Sequence, residues 1–351
     1  MNTGGSNKNN TRNTTNRNTT NRNTTNRNTT NRNTTNRNTT NRNTTRSKKP
    51  IDVVTNPPFP IDIVYTWKGE SKSTNVRLGY NYELKYSLRS IELYAPWINK
   101  IFILMNKKKY PSWIKENDKI VVIEHLDTFP SQEYLPNFNS NAIETTIVNI
   151  KDLSEHYIYF NDDIFLGKKT KYTDFFTPSG KAVIDDYTIK NTTNIVKDEN
   201  NDILNIEFPP SSDKIYKHIP IPQIKSIVLE FNEKYADFIH WVRKTKKRKN
   251  KGFDICKKNT LNSPCQQLHY PIAKFMKLKD KVVLKNNNEN NIYIPNIDPN
   301  FEKKLKYLLL KKPLFFCIND VEPNPDKKKL LLDEVLDFFN TYYPNKAYFE
   351  K

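Results

Sequence analysis

The stretch His156–Leu166 constrains the fold of this chain more than any other. Its first half alternates aromatic and β-branched residues, as a buried strand does, and a second apolar run closes it. Between the two runs, Asn161, Asp162 and Asp163 stand side by side. Buried carboxylates without a partner cost several kcal/mol, so this pair is expected to need a cation. The stretch therefore predicts a core strand that ends in charged side chains.

The position of these side chains indicates which ligand they would bind. In an open α/β sheet, ligands sit at the carboxyl ends of the strands. Oxygen ligands there usually hold Mg²⁺ or Mn²⁺ together with substrate phosphates, so Asp162 and Asp163 are predicted metal ligands. A turn that is capped by the side chains of Asn161 and the two aspartates is the competing interpretation.

Further apolar runs predict the rest of the fold. Three runs before His156 are expected to be strands, at residues 61–67, 100–106 and 119–125. Helical spacing of apolar residues predicts helices over Tyr82–Tyr94, from near Ser140, over Ile224–Val242 and over Lys327–Tyr342. The order strand, helix, strand, strand, helix, strand is typical of an α/β fold. We therefore expect a Rossmann-like domain whose central sheet is mostly parallel and carries flanking helices.

A second run, Leu314–Asp320, also leads from apolar residues into an amide and a carboxylate, Asn319 and Asp320. Two strand-like segments thus end in the same chemistry. We expect their ends to converge on one divalent-ion site, in which Asn319 is a further ligand.

The first 49 residues differ in composition from the rest. From Thr11 to Thr45 they repeat Asn-Arg-Asn-Thr-Thr with a period of five and contain no aliphatic or aromatic residue. Nothing there offsets the entropy cost of ordering, which predicts a disordered tail over residues 1–49 and a folded domain over residues 50–351. Within the domain, residues 181–215 are predicted to be a loop-rich insertion.

The formal net charge of +19 raises the question of a polyanionic partner. Eleven positive charges lie in residues 1–49, which contain no acidic residue, so the rest of the chain carries +8. A charge of that size attracts phosphates without requiring a polynucleotide, and nucleic acid is not expected as a partner. The basic run 244–251 is interpreted as a solvated loop, with contact to a polyanion as the alternative.

The sequence contains no apolar run near the roughly 18 residues that a membrane span needs, and no hydrophobic signal segment. This predicts a cytoplasmic protein without a transmembrane segment. The three cysteines form a sparse, odd set that suits a reducing compartment. Cys256, Cys265 and His269 have an unusual spacing for zinc and lack a fourth ligand, so zinc is not expected.

Several segments, taken together and in order, resemble the Stealth family, which includes bacterial capsular-polysaccharide phosphotransferases and an N-acetylglucosamine-1-phosphotransferase subunit. The matching segments are Ile61–Trp67, Glu83–Ser90, Ala95–Trp97, Pro111–Trp113, Phe138–Glu144, Tyr159–Asp163, His218–Pro222, Cys317–Asp320 and Tyr343–Lys351. The family usually continues Tyr-Thr-Trp with Val-Asp-Gly-Ser-Asp, whereas this chain has Lys-Gly-Glu-Ser-Lys at 68–72. Either Asp62 or Glu70 compensates for the missing carboxylate, or the role of this region is altered.

The resemblance implies transfer of a hexose 1-phosphate, such as N-acetylglucosamine 1-phosphate, from a UDP-sugar donor to a hydroxyl of a glycan acceptor. The products would be a phosphodiester and UMP, in the synthesis of capsule or surface polysaccharide or in glycan modification. Such catalysis depends on positioning and on electrostatic stabilisation by a metal ion and basic side chains. A metal-dependent glycosyltransferase that releases UDP, and a non-catalytic polyanion-binding protein, stay open as alternatives. Homo-oligomerisation is also left open.

The candidate site residues follow from the resemblance and this chemistry. The candidate catalytic residues are Asp62, Arg89, Glu144, His218 and Asp320, and three of these, Asp62, His218 and Asp320, are candidate bases. The candidates for substrate binding are Arg77, Lys85, Asn139, Ser140 and Asn161. The candidates for the metal are Asp162, Asp163 and Asn319.

Several of these residues have a structural alternative. Arg89 would pair with an acid on its own helix, and His218 would hold a loop between prolines. Glu144 would interact with the first turn of a helix, and Asn139 with Ser140 would cap that helix. Trp67 and Trp97 are expected in the core rather than against a sugar.

Overall fold

The computed structural model describes residues 56–70, 82–185, 218–247, 268–285, 291–322 and 324–351. The predicted tail, the predicted insertion from residue 186 onward and residues 248–251 of the basic run lie outside this part. Among the residues singled out in the sequence, Arg77, Cys256 and Cys265 lie outside it as well.

Within the described residues, ten strands form, and they include every run that the sequence predicted. They are β1 (Ile61–Thr66), β2 (Ile101–Met105), β3 (Ile120–Glu124), β4 (His156–Phe160), β5 (Ile164–Leu166), β6 (Ala182–Asp185), β7 (Ile221–Ile224), β8 (Val282–Lys285), β9 (Asn291–Pro295) and β10 (Phe315–Asn319).

Five of these strands form the central sheet, in the order β3-β2-β1-β4-β7. All pairs from β3 to β4 are parallel, and β7 is antiparallel to β4 at one edge. β2 is buried along its whole length, and only the last residue of β1 is partly exposed, as expected of parallel strands that are covered on both faces. The prediction of a Rossmann-like, mostly parallel central sheet is confirmed.

A second sheet adjoins the first and shares a connection with it. It has the order β5-β10-β9, in which β10 is antiparallel to β5 and parallel to β9. Only residues 161–163 separate β4 of the central sheet from β5 of this second sheet. The Asn-Asp-Asp turn is therefore the link between the two sheets. A third pair, β6 and β8, is parallel.

Seven α-helices are described in the same parts of the chain. They are α1 (Glu83–Tyr94), α2 (Ser140–Glu144), α3 (Lys225–Lys234), α4 (Ala236–Lys244), α5 (His269–Leu278), α6 (Phe301–Lys311) and α7 (Pro325–Tyr342). α7 begins two residues before the predicted start, because the side chain of Asn324 caps it by accepting from the backbone N–H groups of Asp326 and Lys327.

The prediction of one continuous helix over Ile224–Val242 is wrong. The helix breaks at Tyr235, whose backbone has φ −112° and ψ 40° and so separates α3 from α4. The Tyr235 side chain is buried, with its ring centroid 4.9 Å from that of Phe231 and 6.3 Å from that of Phe275. Tertiary packing of this aromatic group thus overrides the helical pattern.

The core contains the two tryptophans as expected, since Trp67 is 4% exposed and Trp97 is 8% exposed. The Trp97 indole N–H donates to the backbone oxygen of Thr170 at 3.1 Å, which satisfies its only polar group. No helix in the described ranges is both long enough and apolar enough to cross a membrane.

Candidate functional site

The structure brings the two predicted strand ends together. β10 runs antiparallel to β5, with Cys317 opposite Ile164, so the end of β10 lies beside the turn that precedes β5. The backbone N–H of Ile318 donates to the oxygen of Asp163 at 3.2 Å. Asn319, which comes directly after Ile318 and ends β10, therefore lies close to the Asn161–Asp163 turn.

Asp163 forms a compact cluster with His218 and Cys317. Its Oδ2 atom lies 3.6 Å from Nδ1 of His218 and accepts a hydrogen bond from the Cys317 thiol at 3.3 Å. One ligand atom from each of the three residues falls within 4.8 Å of the others. The Oδ1 atom of Asp163 is buried and has no hydrogen-bond partner within the described part of the chain. An unsatisfied buried carboxylate oxygen fits a bound cation, because oxygen is the ligand that Mg²⁺ and Mn²⁺ prefer.

Asp162 is a second carboxyl group at this turn, and its surroundings disfavour its charged form. Burial, then Glu83, then Asp163 raise the pKa of Asp162 to about 8, while the Lys68 ammonium and a backbone hydrogen bond act against them. Burial and the neighbouring Asp163 carboxylate raise the pKa of the Cys317 thiol well above its ordinary value. A cation at this turn would relieve both effects.

The region that departs from the family pattern lies next to this charge. Desolvation lowers the pKa of Lys68, while Asp162 and Glu83 act in the opposite direction. Glu70, a candidate replacement for the missing carboxylate, is engaged through its Oε1 atom, which accepts from the backbone N–H and the hydroxyl of Ser112 at 3.0 and 2.8 Å. The altered segment thus contributes a lysine charge close to Asp162.

Two further candidates meet at a buried tyrosine hydroxyl. The Tyr159 hydroxyl lies 2.8 Å from Oδ1 of Asn161 and 3.1 Å from Oε1 of Glu144. Glu144 ends the short helix α2, and Asn161 follows β4, so the tyrosine joins a helix to the turn. The structure therefore brings Glu144 and Asn161 together beside Asp162.

Asp320 lies at the same end of β10 but is already engaged. Its Oδ1 accepts from the Asn296 amide at 2.8 Å, and its Oδ2 forms an ion pair with Lys328. Both of its carboxylate oxygens therefore already have a partner within the protein.

The structure contradicts the assignment of Asp62 as a catalytic residue. Asp62 is fully buried near the amino end of β1, whereas the site lies beyond the carboxyl end of the neighbouring parallel strand β4. Its carboxylate accepts from the Asn99 amide and from the backbone N–H groups of Lys100 and Ser154, at 2.7–3.0 Å. Three donors give Asp62 a structural role, in which it fixes the start of β1.

The structure gives Arg89, a candidate catalytic residue, and Lys85, a candidate for substrate binding, a common partner in Glu350. The buried Arg89 guanidinium donates to both carboxylate oxygens of Glu350, at 2.5 and 2.8 Å, and to the backbone oxygen of Tyr343. Because each of its three nitrogens bonds to an acceptor within the protein and its side chain is only 7% exposed, Arg89 has a structural role rather than the predicted catalytic one. The Lys85 ammonium lies 3.3 Å from the same carboxylate, and its role in substrate binding stays a prediction.

The substrate-binding assignment of Asn139 is replaced by the capping alternative, whereas that of Ser140 stays a prediction. Asn139 is fully buried, its Oδ1 accepts from the backbone N–H of Asn141, and its amide donates to the backbone oxygen of Thr245. It is the N-cap of α2, and Ser140 is the first residue of that helix. Arg77 lies outside the described residues, so its role stays a prediction.

Sequence reasoning missed the contributions of Cys317, Lys68 and Glu83. Cys317 stands inside the Cys-Ile-Asn-Asp segment that supports the family resemblance, and that position was the available signal. Glu83 comes from the start of α1, and only the folded chain brings it near Asp162.

Comparison with known proteins places this arrangement in a family. Conserved region 2 of the Stealth proteins matches residues 77–184. The capsular polysaccharide phosphotransferase WcwK of Streptococcus pneumoniae is 30% identical over 307 residues, which cover 76% of this chain and 85% of that protein.

An exopolysaccharide phosphotransferase of Streptomyces coelicolor is 27% identical over 324 residues, which cover 84% of this chain and 57% of that protein. The chain therefore spans little more than half the length of this longer relative. A solved structure of the galactosyltransferase LgtC aligns with 80% of this chain and 95% of its own, at 12% identity and a TM-score of 0.40, which supports no conclusion about function. Because the match to WcwK extends over most of both chains and conserved region 2 is present, this chain belongs to the Stealth family.

Proposed function

We propose that this protein transfers a hexose 1-phosphate from a UDP-sugar to a hydroxyl of a glycan acceptor in polysaccharide synthesis. The single observation that carries the proposal is the Asp163–His218–Cys317 cluster, with its unsatisfied carboxylate oxygen, at the carboxyl ends of β4 and β10. Membership of the Stealth family supports it, as do the phosphotransferase names of WcwK and of the Streptomyces relative.

Asp162 and Asp163 are the proposed ligands of a Mg²⁺ or Mn²⁺ ion, with Asn319 at the adjoining strand end. When bound, such an ion would neutralise charge on the donor diphosphate as the bond to phosphorus changes. The carboxylates would hold the ion, and the raised pKa of Asp162 means that its charged form is disfavoured there without a cation.

His218 is the proposed base. Of the three candidates, Asp62 lies at the wrong end of β1 and Asp320 is paired with Lys328. His218 lies 3.6 Å from the Asp163 carboxylate and is partly exposed, so it is reachable by an acceptor and is oriented by an acidic neighbour.

In the proposed reaction, the acceptor oxygen attacks the phosphorus that carries the sugar, and His218 takes the hydroxyl proton. The bond between that phosphorus and the bridging oxygen breaks, and UMP leaves with the bridging oxygen. The sugar keeps its bond to its own phosphate, so the product is a phosphodiester. Lys68, whose charge lies near Asp162, is a further candidate to contact the donor phosphates.

The identity of the released nucleotide tests this proposal. The full chain is incubated with UDP-N-acetylglucosamine and other UDP-sugars, with Mn²⁺ or Mg²⁺ and with glycan acceptors, and the nucleotides are separated. Acceptor-dependent UMP is expected, and it should disappear with excess chelator and in His218→Ala. UDP as the acceptor-dependent product would mean attack on carbon and would exclude phosphotransfer.

A further inference from the structure

A chain of buried polar side chains in contact with one another leads away from the proposed site into the protein. It begins at Asn161 in the turn, passes through Tyr159, Glu144 and His269, and continues to two residues on the far side. These two are Gln223 on β7 and Tyr157 on β4. Apart from Asn161, which is half-buried, and Glu144, whose side chain is 8% exposed, the members are buried. A buried polar chain of this length is costly unless each member is satisfied in a consistent direction.

The direction of this chain can be worked out from Tyr157. The Tyr157 hydroxyl donates to Oε1 of Gln223 at 2.5 Å, which fixes the orientation of the amide. Nε2 of Gln223 can only donate, and it lies 3.2 Å from Nδ1 of His269, so that ring nitrogen is the acceptor. The ring proton is then on Nε2, which lies 3.1 Å from Oε2 of Glu144 as a close polar contact rather than an aligned hydrogen bond.

The same carboxylate faces Tyr159 with its other oxygen. Glu144 Oε1 lies 3.1 Å from the Tyr159 hydroxyl, and the ring centroids of Tyr159 and His269 are 4.8 Å apart. The Tyr159 hydroxyl has a third neighbour, Thr66 Oγ1 at 2.9 Å, which can donate to it. Tyr159 therefore holds one proton for two acceptors, Glu144 and Asn161, and Asn161 Oδ1 is the closer one at 2.8 Å.

We propose that Tyr159, supported by Glu144, His269 and Gln223, is a positioning residue that fixes the Asn161 side chain and with it the Asp162–Asp163 turn. Tyr159 is not a catalytic residue, because it is buried and acts through Asn161. Outer hydrogen-bond partners of this kind set the orientation of metal-binding groups. The inference rests on the proposed cation site at the turn.

The test measures Mn²⁺ affinity rather than transfer. Mn²⁺ is titrated into the full chain and free ion is followed by electron paramagnetic resonance, with melting temperature as a check on folding. Tyr159→Phe should raise the Kd for Mn²⁺ by about 10-fold or more, the usual cost of losing an outer partner. Tyr157→Phe, at the far end of the chain, should raise it by a smaller factor.

Tyr342→Phe is the matched control. Tyr342 is a buried tyrosine at the end of α7, and its hydroxyl donates to the backbone oxygen of Gly167, outside this chain of contacts, at 2.7 Å. This variant also loses a buried, hydrogen-bonded hydroxyl, and it should leave the Kd for Mn²⁺ unchanged. An equal change in Tyr342→Phe and Tyr159→Phe would show a general effect of buried hydroxyl loss and overturn the inference.

A double substitution tests whether Tyr159 acts through Asn161. If it does, Tyr159→Phe should cause no further loss of Mn²⁺ affinity in an Asn161→Ala background, since coupled residues are not additive. Additive losses, an unchanged Kd in Tyr159→Phe, or no Mn²⁺ binding by the unmodified chain would each overturn the inference. The expected pattern of Kd values together with release of UDP would support the positioning role and refute only the proposed reaction.

Discussion

Two groups of buried charge in this protein use similar side chains and differ in how they are satisfied. Around Glu350, the carboxylate receives the Arg89 guanidinium through two bonds and the backbone N–H of Ala347 through a third. Around Asp163, by contrast, a buried carboxylate oxygen lacks a hydrogen-bond partner in the described ranges. The group around Glu350 stabilises the fold, whereas the group around Asp163 is suited to binding a ligand.

The two groups also move carboxyl pKa values in opposite directions. Hydrogen bonds from Arg89 and Ala347 outweigh burial and hold the pKa of Glu350 below its ordinary value. At Asp162, burial and the neighbouring acids raise the pKa to about 8. Satisfaction by donors, rather than burial itself, thus separates a structural carboxylate from a functional one.

Breaking the Arg89–Glu350 pair should have the largest effect on stability. Arg89→Ala leaves Glu350 buried without its main partner, and such losses cost roughly 3–5 kcal/mol. Chemical denaturation should show this decrease in the free energy of unfolding. Lys306→Ala removes an exposed partner of Glu302 and serves as the control, with nearly unchanged stability expected. Equal stability of the two variants would mean that the Arg89 pair contributes nothing to the fold.

Asp163→Asn should have the opposite profile, with loss of activity and no loss of stability. The amide keeps the shape of the side chain but removes the charge that the proposed cation needs. We expect acceptor-dependent UMP release to fall by at least about 10²-fold, the scale of losing one strong electrostatic group. The melting temperature should be equal or higher, because repulsion with Asp162 is relieved. A large decrease in melting temperature would mean that Asp163, like Glu350, stabilises the fold.

The pH dependence of stability should separate the two regions further. Glu350 has a lowered pKa, so its contribution is present above its unfolded value and is lost as the pH falls. Asp162 has a pKa raised from 3.8 to about 8, so the folded state loses stability as the pH rises across that range.

Without divalent ions, the melting temperature of the unmodified protein should therefore decrease between pH 5 and pH 8. Asp162→Asn should make this decrease smaller. Glu350→Gln, in turn, should make the decrease in melting temperature at falling pH smaller. If Asp162→Asn leaves the decrease between pH 5 and pH 8 unchanged, other groups cause it.

The smallest effect is expected from deletion of residues 1–49. This segment contains only one residue, Met1, of the types that build a core, so its removal should leave both groups of charge as they are. The melting temperature and any UMP release should stay nearly unchanged. A decrease of several degrees would show that the segment packs on the rest of the chain.

Strand runs and the two polar strand ends could be predicted because they are local properties of the sequence. Four apolar runs, and the Asn-Asp-Asp segment that follows the last of them, can be recognised without knowing what lies beside them. The break at Tyr235 could not be predicted, because it depends on packing against Phe275 from a distant helix.

The misassigned site residues have a common physical reason. Arg89 and Asp62 have the types and segments expected of catalytic groups, yet their roles depend on partners 261 and 92 residues away in the sequence. Family resemblance identifies the positions that matter, but it does not distinguish a side chain that binds substrate from one that holds the fold.

The Arg89–Glu350 pair also has a consequence for the order of events during synthesis. Arg89 is made 261 residues before its partner, and α1, which carries it, contacts β5 through Ser87 and Ser90. Until Glu350 emerges, α1 would have to bury a guanidinium without its counter-charge, which disfavours docking. The turn that precedes β5 would then be completed late. A growing chain would therefore acquire its proposed site only when its C-terminal segment is available, and not when Asp162 and Asp163 themselves have been made.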